Sequence, residues 1–354
     1  MYKGIAKEYK LVSYILFVTF FPHLIAGPIL HHKEMMPQFE KDDNFNINWA
    51  NICIGTAIFV LGLFKKIIVA DRLAEIATPI FIAVNQGGIP QLLESWIAAL
   101  TYSFQLYYDF SGYSDMAIGL ALMFNIKLPV NFFSPYKAIS IIDFWRRWHM
   151  TLSRYLRDYV YIPLGGNRNG EYNKLKNLFI TMLIGGLWHG AGWTFIIWGG
   201  LHGIYLIINH AYRKYKFNLS DNLNWLLTFI SVVIAWVIFR ADNVNDAILI
   251  IQGMFGFNGI ETNIKLSPLT NISFVKIFGI ILTILFIIKK MPNVLEIFAL
   301  YKPALDIDES KIETKFVKYI KWEPNYLWSL IIAIIAIISI LSMSKTSEFL
   351  YFQF

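Results

Sequence analysis

Between Lys176 and Arg213 the chain reads KNLFITMLIGGLWHGAGWTFIIWGGLHGIYLIINHAYR, and no Asp, Glu, Lys or Arg lies between those two ends. About 20 apolar residues are enough to cross a bilayer. Basic residues prefer the cytoplasmic side of a membrane. An apolar stretch with a basic residue at each end therefore predicts a segment that enters a membrane and returns. We expect the reversal between Gly185 and Gly192.

His189 lies in the glycine-rich middle of this stretch, 13 residues beyond Lys176. A helix rises ~1.5 Å per residue, which would place His189 about 20 Å into a hydrocarbon core about 30 Å thick. Ionisable side chains are costly at that depth, so membrane proteins that keep them there usually use them. Trp188 is a candidate substrate contact, although such tryptophans more often serve packing. His202 either lines the same cavity or packs structurally.

The rest of the chain is similarly apolar. Hydrophobic residues make up 56% of the 354 residues and charged residues 16%, and the mean hydropathy is +0.50. Soluble domains are about 45–50% apolar and about 25% charged. Seven windows are nearly free of charge: Leu11–Leu30, Asn51–Leu63, Ile97–Asn125, Asn177–Ile208, Asn224–Phe239, Phe278–Ile288 and Tyr326–Met343. The composition predicts an all-α, polytopic integral membrane protein with one domain over residues 1–354.

Several classes of site are not indicated. The single cysteine, Cys53, has no partner for an internal disulfide, and we expect a small core residue. The seven histidines lack the HExxH spacing of a zinc site, and no glycine-rich nucleotide loop is present. We therefore expect no metal, no bound cofactor and no nucleic-acid partner.

Basic residues are concentrated in one part of the chain. Eight Lys and Arg against three Asp and Glu give residues 137–176 a net charge of +5, out of +7 for the whole chain. One interpretation is the ordinary excess of positive charge in cytoplasmic loops. The other is a docking face for an anionic donor or carrier, with Arg146, Arg147 and Arg154 as candidate contacts. Smaller clusters predict cytoplasmic loops at Lys65-Lys66 with Arg72 and at Arg213-Lys214 with Lys216.

Residues 140–159 are predicted to form an amphipathic helix. At about 100° per residue, one face is ionic and the other is apolar. The ionic face holds Asp143, Arg147, Arg154, Arg157 and Asp158, and the apolar face Trp145, Leu152, Leu156 and Tyr159. Such a helix suits a membrane interface or the rim of a cavity. His149 falls at the edge of the apolar face, so we expect it to point into protein or membrane.

Two carboxylates also occur in apolar sequence, in YYDFSGYSD over residues 107–115. Asp109 and Asp115 could orient a histidine or bind a sugar hydroxyl. They could equally pair with the arginines of 146–157, and we expect such a pair for at least one of them.

Six motifs carry a family resemblance: FPHLIAGP (21–28), DFSGYSD (109–115), NFFSP (131–135), DFWRRWH (143–149), YIPLGGN (161–167) and GLWHG (186–190). On these motifs the chain, from about Leu11 onward, resembles the membrane-bound O-acyltransferase (MBOAT) family. It is most similar to the alginate O-acetyltransferase branch, with the teichoic acid D-alanyl transfer proteins as relatives.

The resemblance implies a many-helix fold with a central tunnel, re-entrant or interfacial helices, and a donor that enters from the cytoplasmic side. It implies that His189 is the catalytic histidine and His149 the second characteristic polar residue. Family members usually have further spans ahead of the FPHLIAGP segment, so the resemblance also implies that this chain lacks them.

These observations together favour a multi-pass plasma-membrane O-acyltransferase, expected to acetylate an exported or cell-surface polysaccharide such as alginate. The donor would be a thioester, either acetyl-CoA or an acylated carrier protein, and transfer would be direct or through a periplasmic or extracellular partner. Membrane lipid is a further expected partner. The alternatives are a transporter or channel for a polar solute, which broken helices and a basic mouth also fit, and a non-catalytic scaffold for a soluble acetyltransferase.

Overall fold

The computed structural model of the chain describes residues 11–24, 27–260, 274–307 and 319–343. Within these ranges the regular structure is helical and no β-strand forms, so the all-α prediction is confirmed for them. The helices are α1 (Leu11–Thr19), α2 (His32–Phe39), α3 (Trp49–Phe64), α4 (Asp71–Asn85), α5 (Leu92–Met123), α6 (Ile141–Trp145), α7 (Met150–Leu156), α8 (Gly170–His189), α9 (Trp193–Lys214), α10 (Asp221–Arg240), α11 (Val244–Met254), α12 (Phe274–Lys290), α13 (Val294–Ile297) and α14 (Tyr326–Leu341).

Two helical stretches among the described residues are long and apolar enough to cross a membrane. One is Trp49–Asn85, which joins α3 to α4, and the other is α10. Large aliphatic side chains on the outward face of α14, such as Leu330 and Ile334, are exposed, as expected of a surface that meets lipid or another protein. That the remaining helices also cross the bilayer, and that a tunnel runs between them, stays a prediction.

Helix α5 is the centre of the fold. Its 32 residues give it a length of about 48 Å at ~1.5 Å per residue, and α3, α4, α10 and α11 pack around it. Glycines bring α3 and α5 into backbone contact. A Cβ added to Gly62 would lie 2.6 Å from the Gly112 carbonyl oxygen, and one on Gly119 would lie 2.5 Å from the Gly55 oxygen. Small residues at such crossings are typical of membrane helix pairs.

The predicted cytoplasmic loop at Lys65, Lys66 and Arg72 is wrong. The chain passes from α3 into α4 through a π-helical turn, Lys65–Ala70, without leaving the helical path. Both lysines face α5, where Lys65 Nζ lies 2.6 Å from Asp115 Oδ2. A lysine buried inside a helix bundle must be paired, and the carboxylates of α5 provide the pairs.

Asp109 has the same kind of partner, because its Oδ1 lies 2.6 Å from Lys66 Nζ. Where the sequence suggested an arginine of 146–157 as partner, the structure shows a lysine beside each carboxylate, and Asp115 pairs with Lys65. The physical reason is that the π-helical turn places two lysines directly opposite these carboxylates, on a helix to which α5 is already packed.

The predicted continuous helix over 140–159 is also wrong. Helix α6 ends at Trp145, α7 begins at Met150, and His149 between them has a left-handed backbone with φ +42°. The break occurs because backbone groups bond to a neighbouring loop and not along a helix. The Phe133 amide donates to the Arg147 carbonyl at 2.9 Å, and the Met150 amide donates to the Asn131 carbonyl at 2.9 Å.

The predicted reversal of the 176–213 stretch is confirmed. Helix α8 ends at His189 and α9 begins at Trp193, so the two helices form an antiparallel hairpin with its turn at 190–192. Their backbones touch, because a Cβ on Gly186 would strike the Phe195 carbonyl and one on Gly199 would strike the Met182 carbonyl. At the open end of the hairpin Lys214 Nζ pairs with Glu171 Oε2 at 2.7 Å.

This contact predicts different outcomes for two adjacent glycines. Gly199→Ala places a Cβ against backbone, whereas Gly200→Ala places it 3.5 Å from the Leu183 Cδ2 atom, an ordinary contact. We expect Gly199→Ala to destabilise the protein by roughly 1–3 kcal/mol and to lower its midpoint of thermal unfolding in detergent. Gly200→Ala should leave that midpoint nearly unchanged. Equal midpoints for the two variants would show that α8 and α9 do not depend on this contact.

Candidate active site

The histidines of the two Trp-His pairs line one small cavity. Its volume is about 20 Å³, which is room for about one water molecule. The side chains around it come from α5, the α6–α7 segment, the end of α8, α9 and α10, and are otherwise aromatic or aliphatic. They are Leu106, Phe110, Trp145, Trp148, His149, Leu152, His189, Trp198, Trp236 and Phe239. Two imidazoles that are 40 residues apart in sequence are therefore the polar groups of a cavity with apolar walls.

His189 is the last residue of α8. Three aromatic rings surround it at ring-centroid distances of 5.0–5.2 Å, all steeply inclined to the imidazole: Trp188, Trp198 and Phe239. The next residue must be small, because a Cβ on Gly190 would lie 2.7 Å from a ring carbon of Phe195. The close turn and the rings together hold His189 against the hairpin.

His149 is buried, with 3% of its surface exposed, so the expectation that it points into protein is confirmed. Phe110 packs edge-on against its ring at 4.8 Å. Its Nδ1 lies 3.0 Å from Asn131 Oδ1. Its imidazole and that of His189 line the same cavity.

The structure adds two residues to those that the sequence predicted for the site. Asn131 bonds to His149, and Thr151 Oγ1 donates to the same Asn131 oxygen at 2.9 Å. Asn131 is the first residue of the NFFSP motif, which in the sequence carries only the family resemblance. An asparagine and a threonine in apolar sequence are ordinary packing or capping residues, so only their position beside His149 distinguishes them.

The tryptophans around the histidines have different roles. Trp188 is 47% exposed, and its ring lies 6.3 Å from that of His149 and 5.0 Å from that of His189. It is thus beside both imidazoles, as a substrate contact would be, and that role stays a prediction. The Trp198 Nε1 is buried and has no hydrogen-bond acceptor among the described residues, which is rare for a buried indole.

His202 occupies a packing position. It is fully buried, and its Nδ1 accepts a hydrogen bond from Trp145 Nε1 at 3.3 Å. It is not among the residues that line the histidine cavity. Of the two interpretations of this histidine, the structure favours packing.

The predicted arginines are not equivalent. Arg147 is buried, and its Nε donates to Asp143 Oδ1 at 2.9 Å, so it does not lie on an exposed ionic face as the predicted amphipathic helix placed it. The broken helix turns it inward. Arg154 forms a two-pronged pair with Glu34, at 2.8 and 2.9 Å. Arg146 is exposed. Donor contact by these side chains stays a prediction, and it is simplest for Arg146.

Asp109 and Asp115 lie apart from the histidines. Both are held in the lysine pairs of α5, and neither is among the residues that line the histidine cavity. Neither carboxylate is therefore in a position to contact a substrate inside the histidine cavity, and their contact with substrate stays a prediction.

A second, larger cavity of about 530 Å³ lies on the other side of Trp145. Its wall carries five basic side chains, and no Asp or Glu occurs among the described residues that line it. These basic residues are Arg146, Arg157, Lys174, His210 and Arg213. Trp145 lines both this basic cavity and the histidine cavity, so it is common to their walls.

Some of this positive charge is already compensated. Arg157 Nε lies 2.7 Å from Asp158 Oδ1, and this hydrogen bond holds the pKa of the Asp158 carboxyl below its ordinary value. Lys174 Nζ lies 3.2 Å from His210 Nδ1, where the neutral ring nitrogen is the acceptor. Because a lysine–imidazole bond leaves the lysine charge in place, the wall retains a net positive charge suited to an anion.

The chain is similar to known proteins over most of its length. The profile of the MBOAT, membrane-bound O-acyltransferase family matches residues 1–244. The peptidoglycan O-acetyltransferase of Helicobacter pylori is 54% identical over 254 residues, 71% of this chain and 48% of the relative. The probable alginate O-acetylase AlgI of Pseudomonas putida is 46% identical over 252 residues, 70% and 50% of the two chains. The teichoic acid D-alanyltransferase of Streptococcus thermophilus is 31% identical over 233 residues, 63% and 55%.

The chain spans about half the length of the curated relatives it matches. Every residue that lines the histidine cavity lies inside the matched region, and so do all five basic residues of the larger cavity. The profile covers more than half of the chain, and the chain therefore belongs to the membrane-bound O-acyltransferase family.

Proposed function

We propose that this chain is an integral-membrane O-acetyltransferase of the plasma membrane. It would transfer an acetyl group from a cytoplasmic thioester to a hydroxyl of an exported or cell-surface polysaccharide, directly or through an extracytoplasmic partner. The observation that carries the proposal is the pair of imidazoles on one water-sized, aromatic-walled cavity next to a basic cavity. The relatives are a peptidoglycan O-acetyltransferase, a probable alginate O-acetylase and a teichoic acid D-alanyltransferase, and these names support a cell-surface polymer as the acceptor class.

The chemistry assigns His189 as the base. Its imidazole takes the proton of the acceptor hydroxyl while the oxygen attacks the thioester carbonyl, which forms a tetrahedral oxyanion. Collapse of that intermediate breaks the C–S bond and forms the ester. The imidazolium returns its proton to the departing thiolate, so the thiol leaves neutral and His189 is regenerated. His149, on the same cavity, orients the hydroxyl or completes the proton relay.

The oxyanion needs a hydrogen-bond donor, and two lining indoles, Trp198 and Trp236, have a buried Nε1 without an acceptor among the described residues. We assign the role to Trp198, because its ring lies 5.2 Å from that of His189. A buried donor left in this state is unfavourable by about 1–3 kcal/mol. The oxyanion of the transition state would accept a hydrogen bond from this N–H, whereas the ground state would not. An interaction made only in the transition state accelerates the reaction.

The basic cavity is the proposed docking site of the donor. Both candidate donors, acetyl-CoA and an acylated carrier protein, present phosphate groups linked to the thioester by a flexible arm. Arg146, Lys174 and Arg213 would hold the phosphates, and the arm would pass Trp145 to reach the histidines. A cavity of about 20 Å³ holds only about one water, so Trp145 would have to shift to admit the acetyl group.

His189→Ala should abolish acetyl transfer while the protein still inserts into membranes. A general base contributes typically about 10²- to 10⁴-fold, so we expect a loss in that range. The measurement is release of free thiol from acetyl-CoA, or from an acetylated carrier, by the purified full chain with a polysaccharide acceptor. His32→Gln, which changes a histidine outside the cavity, is the control. Near-normal transfer by His189→Ala would exclude this histidine as the base, and solute transport without thioester turnover would favour the transporter.

Trp198→Phe keeps the ring and removes only the N–H. Loss of one oxyanion donor typically lowers kcat by about 10²- to 10³-fold, and we expect a fall of that order with the KM for the donor nearly unchanged. Trp193→Phe, at an exposed position on the same helix, should have no effect. A Trp198→Phe enzyme with normal kcat would remove this indole from the reaction.

The basic cavity is tested by reversing the charge of two adjacent residues. Arg213 lines the cavity, while its neighbour Lys214 pairs with Glu171 outside it. We expect Arg213→Glu to raise the KM for the donor and to flatten its dependence on salt, because screening acts over about 8 Å at physiological ionic strength. Lys214→Glu changes the net charge equally and should leave both properties close to wild type. Equal effects of the two variants would show that only the overall charge matters and that the cavity is not the docking site.

A further inference from the structure

The side chain of Asn131 is the meeting point of the hydrogen bonds around His149. Its Oδ1 lies 3.0 Å from His149 Nδ1, 2.9 Å from Thr151 Oγ1 and 3.4 Å from the Thr151 amide nitrogen. Asn131 is fully buried, and Thr151 is 1% exposed. Asn131 itself lies outside the helices, between α5 and α6, and the reaction proposed above makes no use of it.

We propose that Asn131 is a positioning residue that holds His149 as the Nδ1–H tautomer, so that Nε2 is the acceptor nitrogen of the ring. This inference deepens the proposed function, on which its catalytic meaning rests. The atoms of an asparagine amide are distinguished by their partners. A backbone N–H can only donate, so the Asn131 atom that faces the Thr151 amide must be oxygen. The ring nitrogen that bonds to that oxygen must then carry the proton.

A second chain of bonds prevents the amide from turning over. Thr151 Oγ1 accepts a hydrogen bond from the Ile29 amide at 3.0 Å, which directs the hydroxyl proton toward Asn131 Oδ1. On its other side Asn131 Nδ2 donates to Ser114 Oγ at 3.4 Å. A flipped amide would place its NH₂ group against the Thr151 amide proton. The orientation of Asn131 is therefore set by three parts of the chain: α5, α7 and the segment that contains Ile29.

The backbone keeps Asn131 and His149 together. The Asn131 carbonyl accepts from the Met150 amide at 2.9 Å, directly after His149. His149 itself has φ +42°, a conformation that a non-glycine residue adopts only when its surroundings impose it. The break between α6 and α7 thus serves to present the imidazole edge-on to Asn131, and a continuous helix would carry His149 away from it.

The tautomer decides what His149 can do. The hydrogen bond made by one ring nitrogen of a histidine determines the protonation of the other. With Nδ1–H committed to Asn131, Nε2 has a lone pair and no proton. Neutral His149 therefore accepts a hydrogen bond, from the acceptor hydroxyl or from His189, and does not donate one to the oxyanion. This places His149 on the proton-transfer side of the reaction and leaves oxyanion stabilisation to another donor.

The test compares two substitutions of Asn131 with a readout that does not depend on activity. The full chain is prepared with ¹⁵N-labelled histidine in detergent, and the resonances of His149 are identified as those lost in His149→Gln. In the wild type we expect Nε2 at the shift of an unprotonated ring nitrogen and Nδ1 at that of a protonated one. Asn131→Asp keeps an acceptor oxygen and should keep this pattern. Asn131→Leu removes it, and the Nε2–H tautomer should appear.

Activity then tests the catalytic meaning. Around metal-binding histidines, loss of the residue that orients the ring typically lowers activity by about 10- to 100-fold. We expect a fall of similar size in the kcat of Asn131→Leu, while the donor KM stays near wild type. Asn131→Asp should recover most of kcat. Because Asn131→Leu could disturb the fold, Thr151→Val and Thr151→Ser form a second pair: Val removes the hydroxyl and should weaken the Nδ1–H preference, and Ser should preserve it.

The outcomes separate this inference from the proposed function. A wild-type spectrum with Nδ1 unprotonated, or an Nδ1–H pattern unchanged in both Asn131→Leu and Thr151→Val, would overturn the inference whatever the activity. The expected spectra together with transfer that survives His189→Ala would contradict the proposed function and leave the tautomer assignment standing.

Discussion

Backbone contact between α8 and α9 determines where His189 lies in this molecule. Gly186 and Gly199 allow the two helices to approach until main-chain atoms touch, and this close approach continues to the tight turn after His189. A side chain at either glycine would separate the helices, and the imidazole would no longer meet Trp198 and Phe239. In an apolar solvent helices gain little from burying aliphatic surface, so close packing of small residues has to hold them together.

The second constraint is the central helix α5. It is buried on almost every side and still carries two carboxylates, which the lysines of the π-helical turn neutralise. Removing one partner of a buried ion pair typically destabilises a protein by about 3–5 kcal/mol. These pairs therefore fix the position of the α3–α4 stretch along the axis of α5. The same helix presents Leu106 and Phe110 to the histidine cavity. Asp109 and Asp115, which the sequence offered as possible substrate contacts, therefore stabilise the position of the helix that forms one wall of the histidine cavity.

Charge in the basic stretch is divided between structure and surface. Lys137 is buried against Glu296 at 3.2 Å, and Arg147 and Arg154 each hold a carboxylate. The positive wall that remains combines Arg146 with Lys174 and with Arg213 from the far end of the hairpin. Several basic residues of the 137–176 stretch are thus paired with carboxylates inside the fold. The basic cavity gains part of its positive charge from Arg213, which lies outside that stretch.

The sequence by itself determined the helical class, the hairpin between Lys176 and Arg213, and the two histidines as the residues of interest. These follow from local properties: an uninterrupted apolar run, glycines at its middle, and ionisable groups that are costly in such surroundings. It did not determine the break at His149, the loss of the loop at Lys65, or the partners of Asp109 and Asp115. Each of those depends on groups far away in the chain, because backbone amides of 133 and 150 bond across to another segment and buried charges pair with whichever opposite charge the packing brings near. Only the tertiary structure decided the positions of Asn131 and Thr151 beside His149. Asn131 bonds to that histidine and Thr151 bonds to Asn131, and neither bond can be read from the sequence.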